Sequence, residues 1–119
     1  MIEQHIIQEV CDYFHVPVDY IQEKGRNKTR ITVKHLAIYY VNKFTNKSQQ
    51  EIGELFNCLD HASVYHALKS VSAQCDTDKI YKSNFDEINV RIKEMIEDKK
   101  HTDHLIEQEI YLENDFYKN

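Results

Sequence analysis

The sequence predicts an all-helical protein, and three observations predict it. Two glycines and one proline are all that punctuate 119 residues, too few turn formers for a sheet protein. Apolar residues return at intervals of three and four along most of the chain, the spacing of a buried helix stripe. Capping residues sit where two of those stripes begin, at Ser48 with Glu51 and at Asp60. With 41% apolar and 29% charged residues, the length suits one domain of about six helices around a single modest core.

Taken in order, Ile2, Ile6, Val10 and Phe14, with Ile7 and Cys11 beside them, make residues 2–15 an amphipathic helix that Pro17 ends. The run "VDYIQ" starts a short second helix, with Asp19 near its amino end, before "EKGRNKT" opens a flexible basic loop around Gly25. Thr32 is the expected cap of the next helix, whose inward stripe is Leu36, Ala37, Tyr40, Val41 and Phe44. Ser48 and Glu51 then form a capping box for a brief helix over "QQEIGELF". After "NCL" interrupts it, Asp60 caps a longer helix with Val64, Ala67, Leu68 and Val71 inward, ending near Cys75. Two helices joined by a three- or four-residue turn are the helix-turn-helix, here residues 48–75, in which the second helix projects its amino end outward. Asp76 or Thr77 is expected to cap a further helix to about Lys99, with Tyr81, Phe85, Ile88, Ile92, Met95 and Ile96 inward. Residues 1–99 therefore read as one helical domain. Residues 100–119 read as an acidic tail in which Leu105, Ile106, Ile110, Leu112 and Phe116 keep helical spacing, an additional helix or a docking segment.

Composition narrows the function classes. Cys11, Cys58 and Cys75 are odd in number and widely spaced, which argues against a disulfide framework and for a reducing, cytoplasmic setting. No apolar run is long enough to cross a bilayer, so no membrane partner is expected. The net charge of −5 conceals a segregation: residues 21–50 hold Lys24, Arg26, Lys28, Arg30, Lys34, Lys43 and Lys47 against Glu23 alone. That local +6 leaves −11 for the rest of the chain. A basic patch on an acidic protein is still an electrostatic footprint for a polyanion.

Asp60 and His61 are the conspicuous pair, and three readings compete for them. As a catalytic dyad they fail, because adjacent helical residues point about 100° apart and cannot orient each other. Neither a glycine elbow nor an oxyanion donor cluster stands nearby, and no enzyme is expected. A metal reading needs Cys58, His61 and His66, with His35 as a candidate fourth ligand. Five residues separate the two histidines, off the same-face spacing, so no metal or cofactor is expected. In the third reading Asp60 caps the second helix of the helix-turn-helix and leaves His61, Ala62 and Ser63 free to meet a DNA major groove. The arginines and lysines upstream, Arg30 among them, would meet phosphates, which supply affinity but little specificity.

A resemblance supports that third reading. The stretch "YFHVPVDYIQEKGRNKTRITVKHLAIYYVNKFTNKSQQEIGELFNCLDHASVYHALKSV" resembles the carboxy-terminal DNA-binding domain of the bacterial replication initiator DnaA, over residues 10 to about 95. Glu51-Ile52-Gly53, Phe56, Asp60-His61, Val64 and His66-Ala67 match in order and at the spacing of that family's signature, with the basic loop in register before them. The resemblance implies a bundle of the Trp-repressor-like kind that binds double-stranded DNA in connection with replication initiation or its regulation. It implies that Asp60, His61, Ala62 and Ser63 face bases and that Arg26 or Lys28 reads the minor groove. Lys34, His35, Lys43, Ser48 and Gln49 would lie along the backbone.

The departures from the family pattern carry expectations of their own. Leu59 stands where the family has arginine, Asn57-Cys58 replace a glycine pair, and Ala62-Ser63 replace two threonines. Val33, Lys34 and His35 also thin out an arginine-rich run. Ala62 can still touch a thymine methyl and Ser63 can still hydrogen-bond, so duplex binding with altered preference is expected, each lost contact being worth about 1–3 kcal/mol. The chain contains no Gly-x-x-x-x-Gly-Lys-Ser/Thr loop for a nucleotide. Leu59, the net acidity and the tail motivate the alternative, a protein-interaction module that kept the fold and lost DNA, with a replication or regulatory protein held through the tail.

Overall fold

The computed structural model describes residues 2–118 apart from Lys24, Arg26, Cys58 and Leu59, with side chains as far as Asp98. Six helices follow in order among these residues: α1 (Ile2–Tyr13), α2 (Val18–Gln22), α3 (Lys28–Phe44), α4 (Gln49–Leu55), α5 (His61–Thr77) and α6 (Lys79–Lys118). Met1–Asn89 is one compact unit and Val90–Asn119 a second. The helix-turn-helix belongs wholly to the first.

Helix α1 buries Ile6, Ile7, Val10 and Cys11, the stripe its spacing predicts. It stops before Pro17 in a Schellman turn: the Val16 N–H donates to the Cys11 carbonyl at 3.0 Å and the His15 N–H to the Asp12 carbonyl at 3.1 Å. His15 takes the left-handed position at φ 57°, a place more often held by glycine or asparagine. Burial pushes the Cys11 thiol up to about 11, with Asp12 adding to the effect, so this cysteine is a core residue rather than a nucleophile.

Helix α3 is the centre of the unit, packed against α1, α2, α4 and α5. A helix covered from several sides needs more than one apolar stripe. Accordingly Val33 and Ile38 are buried alongside the expected Leu36, Ala37, Tyr40 and Val41. Its start corrects the sequence reading, because Asn27 and not Thr32 is the cap. The Asn27 side-chain oxygen accepts from the Thr29 N–H at 2.9 Å and the Arg30 N–H at 3.2 Å. The β-branched run Thr29, Ile31, Thr32 and Val33 weakens helix propensity, and this cap together with burial of Val33 overrides it. Lys28 and Thr29 thus leave the basic loop and join the helix.

The local signals around the helix-turn-helix hold. The Ser48 hydroxyl accepts from the Glu51 N–H at 3.1 Å, and the Glu51 carboxylate accepts from the Ser48 N–H at 3.1 Å. Asp60 caps α5, which buries Val64, Ala67 and Val71 and packs on α4. Helix α5 runs to Thr77, so the next cap falls on Asp78, one residue past Thr77 and two past Asp76. The Asp78 carboxylate accepts from the Ile80 and Tyr81 N–H groups at 3.0 and 3.1 Å. Within the first unit α6 is anchored by aromatic contacts. The Tyr40 hydroxyl donates to the Phe85 carbonyl at 2.5 Å, the Phe85 ring stacks on Tyr40 at 5.4 Å, and the Tyr13 hydroxyl donates to Asn84 and Glu87, each at 2.9 Å. The helix continues to Lys118, beyond the expected end near Lys99. The tail side chains Leu105, Ile106, Ile110, Leu112 and Phe116 lie outside the described residues.

Candidate nucleic-acid interface

The amino end of α5 is built by one side chain. Asp60, at the cap, holds the Ser63 N–H at 2.9 Å and the Ser63 hydroxyl at 3.0 Å, both on the same carboxylate oxygen. Those two bonds, with His61 and His66 nearby, hold the Asp60 carboxyl below its usual range, so it stays ionised at neutral pH. His61, Ala62 and Ser63 are all exposed. The turn before them is fixed from α2: the Asn57 side-chain amide donates to the Gln22 side chain at 3.1 Å, and the Gln22 amide donates to the Leu55 carbonyl at 3.5 Å. Asn57 sits at φ 58°, a left-handed conformation that asparagine tolerates better than most residues. This accounts for an asparagine in place of a glycine there.

Beside this end lies a concavity of about 590 Å³, which α3 and the basic loop share with α5. Gly25, Arg30, Lys34 and His35 line it from one side, Asp60 and Ser63 from the other. The Nδ1 atom of His35 is buried without a hydrogen-bond partner. Burial, and after it the charge of Lys34, lower the His35 pKa from 6.5. The site therefore combines fixed cations, a carboxylate that stays charged and an imidazole kept neutral.

The structure gathers some of the expected site residues there and separates others. Lys28 is exposed at the first turn of α3. Lys43, also exposed, stands 15 residues further along that helix, roughly 22 Å away at the helical rise, and donates to Asn89 at 2.8 Å. Ser48 is occupied by its capping box, and Gln49 is half-buried at the start of α4. Lys47 pairs with Glu3 at 3.5 Å and Glu51 at 3.7 Å. Arg30 is also committed within the chain. Its Nε donates to the Tyr20 carbonyl at 2.8 Å, and its Nη2 meets Glu23 at 3.0 Å. Arg26 lies outside the described residues, as do Leu59 and Cys58 of the metal reading.

One exposed group escaped the sequence reading. Tyr65 is 46% exposed on α5, three residues beyond Ala62 and so on the same face. The Lys69 ammonium lies 5.2 Å above its ring, and His66 meets it edge-on at 5.9 Å. An aromatic residue off the buried Val64-Ala67-Val71 stripe was the available signal.

Comparison with known proteins bears on the helix-turn-helix. Residues 3–71 match the family model described as the bacterial DnaA protein helix-turn-helix. The chain is 33% identical over 88 residues to the chromosomal replication initiator protein DnaA of Bacteroides fragilis, covering 74% of this chain and 18% of that protein. Identity and coverage are the same for the protein of that name from Flavobacterium psychrophilum. The Wolbachia pipientis protein is 36% identical over 92 residues, covering 77% of this chain and 19% of its own length. The chain thus spans under one fifth of the length of these relatives.

Proposed function

The chain belongs to the bacterial DnaA helix-turn-helix family, and from that premise we propose that it binds double-stranded DNA with a sequence preference, in connection with replication initiation or its regulation. The supporting observation is that the amino end of α5 and the cationic side of α3 open onto one concavity. A duplex whose major groove receives His61 would then bring phosphates toward Lys34.

The chemistry of each side chain sets its part. One Asp60 oxygen is taken up by Ser63, and the other is suited to accept from a cytosine amino group. Ser63 donates its hydroxyl proton to Asp60 and offers lone pairs to a base amino group. Ala62 presents a methyl to thymine, and His61 reads a base edge. Lys28, Lys34, His35, Lys43, Ser48 and Gln49 supply phosphate contacts, and Arg26 reaches the minor groove. The roughly 22 Å between Lys28 and Lys43 corresponds to about six base pairs at 3.4 Å each, a reasonable footprint for one module. This is binding without a catalysed reaction, a metal or a cofactor.

Fluorescence anisotropy against duplex libraries between about 50 and 200 mM salt tests it. The logarithm of affinity should fall linearly with the logarithm of salt, by about 0.9 per phosphate neutralised. Lys34→Ala should weaken all duplexes alike and reduce that slope by about one. His61→Ala should cost about 1–3 kcal/mol of discrimination between preferred and scrambled duplexes. Affinity indifferent to salt would overturn the proposal, and capture of a protein through residues 101–119 without any duplex binding would establish the interaction module instead.

A further inference from the structure

We propose that Arg30 is a positioning residue for the basic loop and not itself a phosphate contact, an assignment that rests on reading that loop as a DNA-binding element. The Arg30 side chain is only 15% exposed. Its guanidinium makes three attachments within the chain: Nε to the Tyr20 carbonyl at 2.8 Å, Nη2 to Glu23 at 3.0 Å, and its face over the Tyr20 ring at 4.4 Å. The Tyr20 hydroxyl in turn donates to Asn27 at 3.0 Å, the residue that caps α3. Gly25 closes the circuit. It sits at φ +149°, and a Cβ there would lie 2.6 Å from Arg30 Nη1, so the glycine is what lets the loop pass over the guanidinium.

Two consequences follow from this wiring. First, the charge of Arg30 is matched by Glu23 at hydrogen-bond distance, so the pair adds little to the attraction of a polyanion. Reaching a phosphate would mean abandoning a planar, two-pronged set of bonds that lysine cannot copy. Second, Asn27, tethered through Tyr20, and Gly25, where a side chain would meet the guanidinium, flank Arg26 in sequence. Arg30 therefore acts on DNA through the loop, by limiting the conformations the flanks of Arg26 sample before binding, which lowers the ordering cost of the complex.

Glu23→Gln separates this from a direct contact by its sign. Removing a negative charge beside a phosphate site should tighten binding if Arg30 touches DNA. If Arg30 positions the loop, the same change should weaken binding to a preferred duplex. We expect Glu23→Gln and Arg30→Lys each to lower that affinity by about five- to tenfold, with the salt slope of the charge-conserving Arg30→Lys unchanged from the parent chain. In the free protein, both should lower the heteronuclear NOE of the Gly25 and Asn27 amides while leaving the α5 amides and the far-ultraviolet circular dichroism unaltered. Tyr20→Phe, which removes only the hydroxyl bond to Asn27, should give a smaller change in the same direction. Tighter or unchanged binding in Glu23→Gln overturns the assignment. So does an Arg30→Lys variant whose loop amides stay ordered, or an Arg30→Gln variant whose salt slope drops by about 0.9. If the parent chain binds no duplex at all, the DNA-binding proposal fails, and the loop NOEs still decide whether Arg30 positions the loop.

Discussion

His35 shows how one residue can serve the fold and oppose it as pH changes. Its Nδ1 is buried without a partner, and burial followed by Lys34 lowers its pKa from 6.5. The unfolded chain therefore binds a proton that the native state refuses, in the window between the lowered native pKa and 6.5. Stability contributed by neutral His35 is present above pH 6.5 and diminishes as pH falls below it. His35→Gln, which keeps a polar side chain of similar reach, should flatten the fall in melting temperature between about pH 7 and pH 5 that this group contributes. DNA should reverse the preference. Arg30 and Lys34 face the same concavity and disfavour imidazolium, Asp60 and Glu23 favour it, and a phosphate seated there would add to the favourable side. Duplex affinity should then rise below pH 6.5 more steeply in the parent chain than in His35→Gln, a comparison that isolates this residue. Equal pH profiles by anisotropy would remove His35 from the interface.

At the scale of elements, capping decides where helices start, and the caps differ in how readable they are. Asn27→Ala should cost about 1–2 kcal/mol in urea unfolding, since it strands the Thr29 and Arg30 N–H groups and loses the Tyr20 hydroxyl. Thr32→Ala, within α3, should stay within about 0.5 kcal/mol. The reverse order would restore the later helix start that the sequence suggests. Ser48 and Asp60 were legible because a capping box and an aspartate before an apolar stripe are local patterns whose partners lie three residues away. Asn27 was not, because its strength comes partly from Tyr20, and because helix α3 gains Val33 and Ile38 from neighbours on several sides that no periodicity reveals. The candidate site divides in the same way. The α5 residues and Lys34 follow from spacing and local charge. The commitment of Arg30 to Glu23 and Tyr20, the shared concavity and the exposure of Tyr65 depend on how α2, α3 and α5 come together.

At the scale of the whole molecule, the question is how an acidic protein attracts an acidic polymer. The local +6 of residues 21–50 is smaller in practice, because Glu23 offsets Arg30, and Glu3 and Glu51 offset Lys47. Lys34 remains as a cation at the concavity beside α5, and Lys28 as an exposed one at the start of α3. Against them, residues 101–119 carry Asp103, Glu107, Glu109, Glu113 and Asp115 with Lys118 alone, a balance of −4. Net charge of that sign should slow the approach of DNA, an effect that salt screens, with a Debye length of about 10 Å at 0.1 M and about 3 Å at 1 M. Deleting residues 101–119 should therefore raise duplex affinity by about threefold at 50 mM salt, chiefly through the association rate, and the gain should vanish near 0.5 M. The slope of log affinity against log salt should become steeper, while the preference among duplexes, set by α5, should not move. Stopped-flow association and equilibrium anisotropy on the two chains measure both quantities. A loss of affinity on deletion would mean that the tail contributes contacts of its own. A gain that persists at high salt would mean that it blocks the interface by occupancy rather than by charge.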